Sequence, residues 1–238
     1  MTNTISVFCD FDGTIISKDL GDEVFQHFGH IEPYHSRLLA GELPIREYWR
    51  AVCATLSPEV TQEKIREFAL EVSVDPNFRS FAGYCRENGI PLTILSDGFD
   101  AYIKPVLERE SLSGIPVYSN FLEFRAASPP VPHFPGASES CTCLCASCKR
   151  NLVLTQAQPE SLIVYIGDGL SDTCAAEHAD VIFAKKKLAA YCNRHRLPHY
   201  PFSNFFDILR VFREGVEKKQ FRPRHQAFLR RKKSFETE

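Results

Sequence analysis

The sequence predicts an α/β protein with a parallel sheet and a small helical bundle inserted after its first strand. Three observations predict it. Three apolar runs, "TISVFCD" at 4–10, "IPLTILSDG" at 90–98 and "SLIVYIGDG" at 161–169, each lead into an Asp-Gly pair, at 12–13, 97–98 and 168–169, as buried strands running into turns do. The stretches between them carry helical spacing, and strands alternating with helices build parallel sheets. No strong strand interrupts 18–74, so this stretch reads as the inserted bundle. The expected division is a core of 1–16 and 76–238 and an insert of 17–75.

In the insert, "DEVFQHFG" stops at Gly29, a helix-ending residue. "REYWRAVCATL" and "TQEKIREFALEV" space their apolar residues three and four apart, and Thr61 is placed to cap the second. Tyr48 and Trp49 are expected to pack within the insert. In "DPNFRSFAGYCRENG", Asp75 reads as the cap, Pro76 as the first helical residue and Gly89 as the stop. "FDAYIKPVLERE" is helical with Pro105 near its start, and "GIPVYSN" is a short strand. Residues 126–148 hold four prolines and four cysteines and read as a loop. "KRNLVLTQAQ" and "LSDTCAAEHA" are helical, "DVIFA" is a strand, and "NFFDILRVFREGVEKK" is an amphipathic helix. The basic C-terminal run "KKQFRPRHQAFLRRKKSFETE" reads as a solvated tail.

A net charge of -2 and 24% charged residues argue against bulk attraction to nucleic acid. No apolar run reaches the roughly 20 residues that span a bilayer. The N-terminus has no signal-peptide pattern. Nine cysteines without a secretion signal suggest a reducing, cytoplasmic setting.

The chemistry is concentrated at the strand ends. In open α/β sheets, sites form outside the carboxyl ends of the strands. That places Asp10, Asp12, Ser96, Asp97, Asp168 and Asp172 in one crevice. Asp10 and Asp12 sit two positions apart, and carboxylates that close ionise together only with a cation nearby. Several carboxylates suit a hard cation, most simply Mg²⁺. Ser96, with N–H groups near Asp97 and Gly98, suits an anion. Lys149, at an expected helix start, supplies a fixed positive charge, with Lys104 and the run Lys185–Lys187 as competitors. Cation, anion turn and carboxylate pair together suggest phosphoryl chemistry. Separately, Cys141, Cys143, Cys145 and Cys148 form C-x-C-x-C-x-x-C. Zn²⁺ is one reading of these thiols, with reduced structural thiols or a redox pair as the others.

These motifs, "DFDGT" at 10–14, "ILSDG" at 94–98, Lys149 before a helix and "GDGLSD" at 167–172, stand in the order seen in the haloacid dehalogenase (HAD) superfamily, and the chain resembles its phosphatases. The resemblance implies a Rossmann-like HAD core under a helical "C1" cap. It implies that Asp10 is a nucleophile forming an aspartyl-phosphate and Asp12 a general acid and then base. Asp10, the Asp12 carbonyl and Asp168 would hold Mg²⁺, and Asp172 would position the metal shell or Lys149. Ser96 with the N–H groups by Asp97 and Gly98 would hold the phosphoryl oxygens. The substrate would be a small phosphate ester, with no nucleic acid or membrane partner.

Within the superfamily, the phosphoserine phosphatases carry a Glu nine residues after the nucleophile and an Arg further into the cap. Here the first position is Asp19, and Arg50 is the candidate for the second, with Val52 as the alternative register. The phosphatases of methionine salvage, acting on 2-hydroxy-3-keto-5-methylthiopentenyl-1-phosphate, are resembled more. They share an Asp at position 19, a cysteine-bearing loop before Lys149 and a stretch like "LPHYPFSNFFDI". The "SDG" at 96–98 departs from both, which usually carry two glycines. Phosphocholine-type hydrolysis, phosphotransfer and a non-catalytic HAD-fold binding protein are the other readings.

Overall fold

The structure is a computed structural model and describes residues 4–138 and 145–237. Among these, seven strands form one sheet: β1 (Ile5–Cys9), β2 (Leu92–Phe99), β3 (Val117–Glu123), β4 (Val131–His133), β5 (Leu162–Gly167), β6 (Val181–Ala184) and β7 (Tyr200–Pro201). Their order is β4-β3-β2-β1-β5-β6-β7. All neighbours are parallel except β3 and β4. The expected α/β class and Rossmann-like sheet are what is found. Cys9 of β1 lies level with Ile94 of β2 on one side and Ile166 of β5 on the other. The three strands whose ends carry the aspartates are therefore adjacent, and the chain turns to opposite sides of β1 at this point.

Helices α1 (Leu20–Phe28), α2 (Tyr34–Leu39), α3 (Ile45–Cys53) and α4 (Gln62–Ala69) follow β1. The chain enters them after Ile16 and leaves at Val74, and these two residues pair in an antiparallel bridge. The Thr61 hydroxyl accepts from the Lys64 N–H at the start of α4, as expected from its place. The remaining helices are α5 (Phe78–Glu87), α6 (Asp100–Arg109), α7 (Lys149–Gln156), α8 (Thr173–His178), α9 (Lys186–Arg194), α10 (Phe205–Glu217) and α11 (His225–Thr237). The larger apolar core gathers one face of the sheet with the insert, α5, α6 and α10. A smaller one packs α7, α8 and α9 on the other face.

Four local expectations are corrected. Asp75 is not the cap of α5, which begins only at Phe78. Its carboxylate instead accepts from the Asn77 N–H at 2.9 Å and from the Phe205 N–H at the start of α10, 3.0 Å away. The segment before the cysteines is not all loop: β4 pairs with β3 as an edge strand, where Pro132 costs no interior ladder bond. The stretch around Lys186 and Tyr191, for which the sequence predicts no element, is α9. The basic tail is not frayed but forms α11 against α8. Arg224 anchors it by donating to the carbonyls of Ala176, Glu177 and Ala179, and Arg231 binds Asp180 and the carbonyl of His178. Those carbonyls lie at the C-terminal end of α8, where the last carbonyls of a helix lack the usual intrahelical partners.

Candidate active site

A cavity of about 550 Å³ opens where β1, β2 and β5 end beneath the insert. Asp10 follows β1 directly and is 5% exposed. Gly13 turns the chain back with φ +71°, and a Cβ there would lie 2.3 Å from Asp168 Oδ2, so the tight approach of the two strand ends requires glycine. Asp12 points into the cavity, with one oxygen accepting from the Leu20 N–H (2.9 Å) at the start of α1. Ser96 is buried in the second half of β2. Its oxygen accepts from the Gly98 N–H at 2.9 Å and its hydroxyl faces Asp12 Oδ2 at 3.4 Å.

Lys149 is the first residue of α7 and is 1% exposed. Its ammonium donates to Asp10 Oδ1 at 2.5 Å, to Asp172 Oδ1 at 2.7 Å and to Ser171 Oγ at 3.3 Å. Burial works against that charge, but the Asp10 and Asp172 carboxylates overcome it and keep the ammonium charged. Asp172 is fully buried. Besides Lys149 it accepts from Tyr165 Oη (2.7 Å) and from the Asp168 and Gly169 N–H groups, at 3.0 and 2.8 Å. Burial and the Asp172 charge push Asp10 well above the usual carboxylate range, against the pull of Lys149. Burial, Asp19 and Asp10 do the same to Asp12. The site thus holds more carboxylates than its own cations balance.

Carboxylate oxygens of Asp10, Asp168 and Asp172 lie within 4.8 Å of one another. Hard oxygen donors with excess negative charge are what Mg²⁺ takes, so the residues present fit that ion. Lys186 of α9 pairs with Asp168 at 3.0 Å from the open side.

A family model for haloacid dehalogenase-like hydrolases matches residues 7–177. The chain belongs to the haloacid dehalogenase-like hydrolases. HAD phosphatases use Mg²⁺, and Asp10, Asp168 and Asp172 form a cluster of aspartates in this one. The chain is similar to the 2-hydroxy-3-keto-5-methylthiopentenyl-1-phosphate phosphatase of Brevibacillus brevis. The two are 29% identical over 216 residues, 90% of this chain and 97% of that protein. The phosphatase of the same name from Geobacillus thermodenitrificans is 30% identical over 212 residues, 88% of this chain and 96% of its own. Among solved structures, a phospho-aspartyl intermediate analogue of phosphoserine phosphatase superposes with a TM-score of 0.68 at 17% identity. It covers 89% of this chain and 99% of that one.

In this HAD hydrolase, Asp10, Asp12, Ser96, Gly98, Lys149 and Asp168 line the cavity, and Asp19 joins them as the cap at the start of α1. Asp97 lines it too, but its carboxylate points away from Ser96. Asp97 Oδ1 accepts from the Ala146 N–H (2.5 Å) and the Ser147 N–H (2.8 Å), just ahead of Lys149. This is how an aspartate is accommodated beside Ser96 and Gly98. Arg50 does not line the cavity. Helical spacing sends it a step past Trp49 to the solvent face of α3, where it pairs with Glu47 at 2.7 Å and lies over the Phe134 ring. Cys141 and Cys143 lie outside the described residues, while Cys145 and Cys148 are buried. Tyr48 and Trp49 both pack, as expected, and line the cavity. The sequence reading missed Tyr165, Tyr102 and the pairing of Lys186. Tyr165 stands inside an apolar strand and had no signal. Lys186 belonged to a run already noted as a competitor for Lys149.

Proposed function

We propose that this HAD phosphatase removes phosphate from 2-hydroxy-3-keto-5-methylthiopentenyl-1-phosphate, or an ester closely like it, in the cytoplasm. The observation that carries this choice is the character of the cavity beyond the phosphate end. Leu38, Leu39 and Ile45 give it an apolar side, and no arginine lines it among the described residues. A phosphate ester whose tail is apolar and uncharged suits such a wall, whereas an amino acid carboxylate calls for a guanidinium fork. The near full-length similarity to phosphatases of that name supports the same reading. Residues 17–75 serve in it as the cap.

In the proposed mechanism, Asp10 attacks phosphorus as the ester P–O bond breaks, and Asp12 gives its proton to the leaving oxygen. The aspartyl-phosphate on Asp10 is then hydrolysed by water that loses a proton to Asp12, releasing inorganic phosphate. The high proton affinity of buried Asp12 suits the first of these tasks. Ser96 and the Gly98 N–H hold phosphoryl oxygens, and Lys149 balances their charge. Asp10, the Asp12 carbonyl and Asp168 would hold Mg²⁺, which would supply further charge neutralisation at the phosphate. Asp172, with every oxygen occupied, positions Lys149 and the turn carrying Asp168. Zinc at Cys141, Cys143, Cys145 and Cys148 is a separate reading. Elemental analysis tests it, one zinc per chain supporting it and none overturning it.

The decisive experiment measures phosphate release from a panel holding this ester, phosphoserine and phosphocholine, with Mg²⁺ and with EDTA. Magnesium-dependent release concentrated on the ketoenol ester is expected, and Asp10→Asn should abolish it with the thermal transition retained. Preference for phosphoserine or phosphocholine would overturn the substrate assignment.

A further inference from the structure

Asp97 joins two parts of the site that lie far apart in the chain. Its carbonyl accepts from Asn120 Nδ2 of β3 at 2.7 Å, and Asn120 is fully buried. The same planar peptide presents its other side, the Gly98 N–H, to Ser96 Oγ at 2.9 Å. The backbone of Asp97 is therefore a fixed base. From it the carboxylate reaches across to the N–H groups of Ala146 and Ser147, both on the one oxygen Oδ1. Hydrogen bonds to an ionised acceptor are about twice as strong as neutral ones. The residues so held run straight into Lys149, and Ala146, Ser147, Cys148 and Lys149 are all buried. Cys148, the N-cap of α7, makes no side-chain cap bond. Its N–H goes instead to the Gly136 carbonyl at 2.8 Å. A Cβ on Gly136 would lie 2.4 Å from Ser147 Oγ, so the segment passes close against that residue as well. Lys149 is thus fastened at two ends, its ammonium by Asp10 and Asp172 and the backbone leading to it by Asp97 and Gly136.

We infer that Asp97 is a positioning residue: through the Ala146 and Ser147 N–H groups it sets where Lys149 leaves the backbone, and so where the ammonium stands against the phosphoryl group. This rests on the mechanism proposed above, in which Lys149 balances phosphate charge, and adds to it a side chain that acts without touching substrate. A free carboxylate beside Ser96 would repel a phosphate. One spent on two N–H groups is turned to holding the loop instead. Asp97 also lies between Ser96 and Gly98, so a single residue keeps the groups that receive the phosphoryl oxygens in register with the cation that faces them. Such register matters, because a displacement of about 1 Å in a reacting constellation costs up to about 100-fold.

The test is calorimetric binding of inorganic phosphate, with Mg²⁺ present, to Asp97→Ala and Asp97→Asn, each made in the wild-type chain and in Lys149→Met. Asp97→Ala should weaken phosphate about 10-fold in the wild-type chain, the size of one hydrogen bond to a charged group. In Lys149→Met the same change should cost less than about twofold, since a residue that acts through Lys149 has nothing left to place. Asp97→Asn, which keeps an oxygen for the two N–H groups, should stay within about twofold of its parent in both backgrounds. Equal weakening by Asp97→Ala in the two backgrounds would give Asp97 a general structural role and overturn the inference. So would no weakening in either, or a loss in Asp97→Asn as large as in Asp97→Ala. Should Lys149→Met fail to fold, the ¹⁵Nζ resonance of the buried Lys149 ammonium decides. It should move or broaden in Asp97→Ala and stay in place in Asp97→Asn, and a resonance unmoved in both would overturn the inference. The mechanism itself fails on a different result, phosphate binding that Lys149→Met leaves unweakened while Asp97 is intact.

Discussion

Lys149 carries a charge at 1% exposure, which is tolerable only because Asp10 and Asp172 grip its ammonium from two sides. Removing one partner from such a group leaves buried charge uncompensated, at about 3–5 kcal/mol. Lys149→Met is therefore expected to lower the urea midpoint as well as abolish turnover, and Asp172→Asn added to it should restore part of the stability. Asp97 makes the opposite argument. Burial raises its carboxyl to about 6, although the Ser147 and Ala146 N–H groups pull it down. An acid raised on folding binds its proton more tightly in the native state, so ionising it costs stability as pH climbs from its unfolded value through about 6. Asp97→Asn keeps an oxygen for those N–H groups without the charge. Its melting temperature relative to wild type should thus be higher at pH 8 than at pH 5 by a few degrees, and an equal difference at both values would refute the account. The motif aspartates and Lys149 were legible because strand-end position and residue type declare their chemistry together. The direction of Asp97 was not, because it depends on a loop 49 residues away.

At the level of elements, the three central strands and most helices were legible from apolar periodicity. Those that were missed owe their stability to distant parts of the chain. β4 is short and holds a proline, and forms because the edge of β3 accepts it. α11 has a weak apolar stripe of its own and is held by Arg224 and Arg231 on the end of α8. Asp75 has the sequence of a helix cap and the work of a clasp, joining the turn before α5 to the first turn of α10. Asp75→Ala loses both bonds and strands the Phe205 N–H, at about 1–3 kcal/mol. A thermal shift of a few degrees is expected, with a smaller loss in Asp75→Asn.

For the whole molecule, the seam between insert and core is aromatic. Phe99, the last residue of β2, is fully buried and meets Phe25 and Trp49 of the insert with ring centroids 5.7 and 5.2 Å away. Phe99→Ala should cost about 3–5 kcal/mol, read as a fall in the urea midpoint, and should loosen the insert's hold on the sheet. Arg66 and Glu108 also bridge α4 and α6 at 3.1 Å, but in solvent, where such a pair contributes about 1 kcal/mol or less. Trp49 is the one tryptophan in the chain, and it stands in this seam with its ring against Phe99 and in the wall of the cavity. The indole emission of the intact protein therefore comes from a single point between insert and core. Ligand arrival, displacement of water and parting of the seam all change the surroundings of that point. The protein carries an optical reporter of its own site, needing neither label nor coupled assay.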